Sequence, residues 1–111
     1  MTVNTRPLRT SQYANNAETT AYTAGAGARV ILDKFTAYNS DATSQTLTVK
    51  LVPSGATATP EHVIVVKALA IGETYTFPEV VGHTLESGGS ISLLASVSSK
   101  ISVRISGREV T

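Results

Sequence analysis

The residues that could do chemistry are few, and their spacing does not suit it. His62 and His83 are the two histidines, and neither belongs to a pair with a recognisable metal-ligand spacing. His62 follows Glu61 at the start of a strand and His83 sits in the loop "VGHTLESGG". Both read as histidines that hydrogen-bond their neighbours. Serine is abundant, yet there is no G-x-S-x-G elbow. Asp33 or Asp41 could be drawn into a triad with either histidine, but no spacing supports one. Asp33 and Glu73 are the acids of strand regions. Glycoside hydrolysis would need both on facing strands, and an outward, solvated pair is the simpler reading. "AGAGAR" at 24–29 is glycine-rich, like a phosphate-cradling loop, but it lacks the Lys-Ser/Thr ending and no helix follows. Tyr22, Tyr38, Tyr75 and Phe77 could offer a platform for sugar rings. Their ordinary role is core or cross-strand packing. The expectation is a protein with no catalytic residue, no cofactor and no metal.

Composition narrows the elements that position these residues. The chain has 111 residues, the size of one domain, and no cysteine, so no disulfide or thiolate contributes. Charged residues are 15% of the chain, well below the usual ~25%. A surface of Ser, Thr, Ala and Gly takes their place, and it costs less to desolvate against another protein. The net charge is +1, and beyond residue 20 seven basic side chains face seven acidic ones. No basic stripe is visible in the sequence, so nucleic acid is not expected as a partner. Apolar runs are of strand length, and the longest is split by Lys67, so no membrane span is expected. "MTVNTRPLRT" lacks the apolar core of a secretory signal.

The remaining pattern is one of strands. "TLTVKLVP" at 46–53 places Leu47, Val49 and Leu51 on one face, with Thr46, Thr48 and Lys50 on the other. Ile91, Leu93, Ala95 and Val97 alternate with Ser92, Leu94 and Ser96; Ile101, Val103 and Ile105 alternate with Ser102 and Arg104. "SVSSK" between these two strands is hairpin-like. Further strands are expected over 20–24, 29–39, 62–70 and 74–80. The run 62–70 is apolar on both faces, as in a central strand or a helix fragment. Pro78 marks an edge or a bulge. Turn signals every ~8–12 residues predict an all-β fold, an antiparallel β-sandwich or a barrel, in residues 21–111. Residues 1–20 read differently, as an extended N-terminal arm. It is either a frayed terminus or a segment that docks on a partner through Val3, Leu8 and Tyr13, with Arg6 and Arg9 between them.

Residues 30–110 also carry a longer pattern. "IGET" is followed by L-x-x-G-G-x-I-x-x-x-A-S and by I-x-V-x-I-S-G-x-E, after an alternating strand that ends "LVPSG". This resembles the small capsid decoration proteins, also called cement or staple proteins, of short-tailed bacteriophages of the epsilon-fifteen kind. It is also similar to related head-completion and tail proteins. The resemblance implies a jelly-roll-like sandwich on the outer capsid surface of a virion, made in the host cytoplasm. Such a protein clamps neighbouring subunits of the major capsid protein, often as a homodimer, and is not an enzyme. A carbohydrate- or host-surface-binding module is the alternative that the β-rich composition leaves open.

Overall fold

Alternation of small apolar and hydroxyl residues becomes strands with one side on a core and one side on solvent. In the computed structural model, which describes residues 2–111, these are β1 (Val3–Tyr13), β2 (Thr19–Thr23), β3 (Arg29–Asn39), β4 (Gln45–Val52), β5 (Val63–Leu69), β6 (Thr74–Tyr75), β7 (Thr84–Leu85), β8 (Ser90–Ala95) and β9 (Ile101–Val110). A 3-10 turn at Pro60–His62 precedes β5. One sheet has the order β1-β9-β3-β6, with β7 also paired to β3; the other has the order β2-β8-β4-β5. Neighbours are antiparallel throughout. Counting β6 and β7 as halves of one interrupted strand gives two sheets of four. The chain crosses between them in the order of an eight-stranded jelly roll. The fold is an all-β antiparallel sandwich.

The core lies between the sheets. Phe35, Leu32, Leu47, Val49, Leu69, Ile91, Leu93, Ile101 and Ile105 are fully buried there. Each contributes about 1.5–3 kcal/mol of burial. Phe77 joins them from the link between β6 and β7, edge-on to Phe35 (centroids 5.0 Å apart) and to Tyr75 (4.8 Å). Of the side chains expected inside from period-2 alternation, Leu47, Val49, Ile91, Leu93, Ala95, Ile101, Val103 and Ile105 are buried, while Val97 lies past the end of β8 and is only partly buried. Leu51 packs on the core but remains partly exposed near the end of β4.

Four local expectations are corrected. The first concerns the arm. Residues 3–13 are extended, but they form β1, paired with β9 from Val3↔Val110 to Tyr13↔Ser102. A domain boundary at residue 20 falls inside β2. Two register shifts, at Pro7/Arg9 and Arg9/Gln12, erase the alternation that would have marked a strand. Pro7 is tolerated because β1 is an edge. Second, β8 and β9 lie in different sheets, so "SVSSK" is a crossover and not a hairpin turn. Third, the strand expected over 74–80 stops at Tyr75. Phe77 takes φ 42°, a left-handed conformation that a bulky residue adopts only when held, and burying its ring holds it. Fourth, β5 is an edge strand and not a central one. Its second apolar face is open to solvent, with Val66 60% exposed.

Gly107 sets the geometry at one end of the first sheet. It sits mid-strand in β9, on the core side. A Cβ there would lie 2.5 Å from the Ile31 carbonyl oxygen and 2.9 Å from Leu8 Cδ1. The flanking strands both shift register beside it, β1 at Pro7/Arg9 and β3 at Leu32/Lys34. Leu8, only 8% exposed, occupies the space that the missing side chain leaves.

Candidate functional site

The titratable residues singled out from the sequence are dispersed by the fold. His62 Nδ1 accepts from the Thr59 N–H at 3.2 Å, and its Nε2 lies 3.6 Å from Glu61. It therefore caps the short turn before β5. His83 lies in the turn before β7, exposed. Asp33 receives a forked contact from Arg108, 3.0–3.2 Å, on the outside of the first sheet. Glu73 accepts from the Ala70 N–H at 2.8 Å and faces Lys67 at 3.7 Å. Asp41 shapes the turn after β3, accepting from the Ala42 N–H at 2.8 Å, which holds its carboxyl below the usual range. Among the described residues, no three His, Cys, Asp or Glu side chains converge as a metal site would require.

The four aromatics considered as a sugar platform are also separated. Tyr22 closes one end of the sandwich. Its hydroxyl donates to Glu109 Oε2 at 2.6 Å, across the two sheets. Arg6 joins the same carboxylate at 2.7 Å. The Tyr22 hydrogen bond above all, with help from Arg6, holds the Glu109 carboxyl below its ordinary value against the opposing effect of burial. Burial, then Glu109, pushes the Tyr22 phenol up. Tyr75 lies beneath the Lys67 ammonium, 4.8 Å from its centroid, and donates to Glu79 at 3.0 Å. Phe77 is core. Tyr38 alone of the four faces outward, 42% exposed.

The residues proposed as arm anchors divide in the same way. Leu8 belongs to the chain's own core and is not a surface anchor. Arg6 is held by Glu109 and Arg9 by the Gln12 side chain. Val3 and Tyr13 remain exposed, on the outer face of the first sheet.

What the fold assembles is a pair of unlike outer faces. On the second sheet, Leu94 of β8, Thr48 of β4 and Val66 of β5 are directly opposite one another, with Thr46 and Ala68 as the next pair. None carries charge. The one cation on that side, Lys50, is buried and paired with Glu18. Glu18 Oε2 also accepts from Ser92 Oγ at 2.6 Å. The free edge of this sheet is β5, whose one charged side chain, Lys67, is paired with Glu73. On the first sheet, Tyr13, Ser102 and Tyr38 are directly opposite across β1, β9 and β3. Arg29, Lys34, Arg104 and Arg108 share that outer face with two acids, Asp33 paired to Arg108 and Glu86 paired to Arg29. The sequence concealed both faces. Strand parity puts each residue inside or outside, but only the register between distant strands brings them together.

No family model and no curated protein matches the chain. Among solved structures it is similar to a chain of the "Structure of infectious bursal disease virus Gt strain", with a TM-score of 0.40 and 12% identity. The match covers 97% of this chain and 32% of that one, so the chain spans about a third of the length of the protein it matches.

Proposed function

We propose that this is a virion structural protein, one that decorates the outside of a phage capsid and clamps neighbouring major capsid subunits. The observation that carries the reading is the uncharged outer face of the second sheet, centred on Leu94, Thr48 and Val66. An interface core depleted of charge and ringed by polar residues is what protein–protein contacts select. The two larger dimensions of the molecule, 46 and 26 Å, give room for the ~800 Å² per partner of a stable contact. Its affinity is raised by the rim and by more than one point of attachment. The free β5 edge supplies a second attachment, either to a capsid subunit's sheet or to another copy of this chain in a homodimer. The resemblance of residues 30–110 to phage decoration proteins supports a major capsid protein as the partner. Contact, not catalysis, is then the whole of the function.

The test is co-sedimentation with empty heads built from the major capsid protein of the same genome. Wild-type protein should pellet with the heads. Leu94→Asp and Val66→Asp should fold normally and lose at least tenfold in affinity, because each places a charge in the desolvated centre of the contact. Wild-type protein that stays in the supernatant, or variants that bind as well as wild type, would refute this assignment of the face.

A further inference from the structure

The first sheet presents the opposite chemistry, and docking through the second sheet leaves it unused. Tyr13 and Tyr38 are 52% and 42% exposed, and both lie directly across from Ser102. They stand two strands apart, about 10 Å. Arg104 is one pair further along β9, opposite Thr36, and is therefore a diagonal neighbour of both tyrosines. Lys34, opposite Ser106, is a diagonal neighbour of Arg104. Such diagonals are about 7–8 Å, so two cations are held close together. Among the described residues, neither cation has an acidic partner and neither phenol hydroxyl has a hydrogen-bond partner, whereas Arg6, Arg29, Lys50, Lys67 and Arg108 are all paired. An anion brought from outside would relieve that repulsion.

We infer that the Tyr13–Ser102–Tyr38 row, with Arg104 and Lys34, is a binding face for an anionic polysaccharide. The row is open to solvent at both tyrosines, which suits a chain laid across it more than a small molecule that needs enclosure. Two rings about 10 Å apart match the length of a disaccharide, with Ser102, Thr36 and Thr74 supplying hydroxyls between and beside them. Two free cations suit a polymer whose acidic groups are sparse. Nucleic acid carries a phosphate at each nucleotide, and its binding is built from many such contacts. A polyacidic peptide would use the cations and leave the rings idle. The inference does not depend on capsid docking, because it concerns the other face.

The experiment is affinity electrophoresis of the full-length protein at low salt through gels containing hyaluronate, gellan or xanthan, anionic polysaccharides whose acidic groups are spaced by uncharged sugars. Dextran, poly-glutamate and oligo(dT) serve as comparison polymers. Retardation by at least one of the three anionic polysaccharides and none by dextran is expected. Y13A/Y38A should weaken that binding at least tenfold without changing Tm. Arg104→Gln and Lys34→Gln should each weaken it and flatten its dependence on salt; these two keep the test open should the tyrosine variant fold poorly. Three results would overturn the inference: no retardation by any of the three polysaccharides; equal retardation by poly-glutamate with no effect of the tyrosines; or tighter binding of oligo(dT).

Discussion

At the scale of single residues, polar side chains here tie elements together more than they offer reactivity. Asn39, fully buried, points its amide at the carbonyl oxygens of Thr43, Leu69 and Ala70 (3.0–3.2 Å) and so fastens the end of β3 to the end of β5. Glu109 does similar work at the other end, between Tyr22 and Arg6. Its carboxyl is held below the ordinary value of 4.5. A depressed carboxyl stabilises the fold above its unfolded value, and that contribution is lost as pH falls through the folded one. Glu109→Gln should therefore destabilise the protein at pH 7 by about 1–2 kcal/mol. The gap to wild type should close as pH drops below the ordinary value of 4.5. Urea unfolding at pH 7 and at pH 3 measures it; a gap that persists in acid would show that the charge is not what matters.

At the scale of elements, β1 and β9 carry the most specific geometry. Gly107→Ala puts a methyl against the Ile31 carbonyl oxygen, which is backbone and cannot swing aside. A loss of about 1–3 kcal/mol is expected, and thermal unfolding will report it. Leu8→Ala in the same background should not restore stability, because the backbone contact remains. Deleting residues 2–14 removes β1, takes Leu8 and Ala14 from the core and exposes the side of β9. The expected cost is at least ~3 kcal/mol, a fall in Tm of roughly 10–20 °C, often with aggregation through the new edge. An unchanged Tm would mean that β1 is only loosely attached. The same elements show what the sequence could reveal. Strands β4, β8 and β9 were legible because their alternation is regular, and β3 because it is rich in β-branched and aromatic residues. β1 was not, since two shifts of register and a proline hide its period. The break after Tyr75 was not, since Phe77 is drawn inward by packing that no local propensity encodes. "SVSSK" has the composition of any turn, and composition does not say which sheet the next strand joins.

At the scale of the whole molecule, the sandwich separates its charge. One broad side is neutral and bears Leu94, Thr48 and Val66; the other bears two tyrosines and four of the basic residues. A net charge of +1 gives no hint of this, because the residues of each face are scattered along the chain and only antiparallel pairing gathers them. The two faces lead to opposite predictions for accessibility on a capsid, and the absence of cysteine makes the comparison clean. Val66→Cys and Tyr38→Cys each place one thiol on an exposed position of one face. The decisive measurement is the maleimide labelling rate of each variant, free and bound to empty heads built from the major capsid protein of the same genome, the partner proposed above. The Val66→Cys thiol should lose at least tenfold in rate on the heads, while the Tyr38→Cys thiol should react as it does in the free protein. A Val66→Cys thiol that labels on the heads at its free rate would contradict docking through the uncharged face.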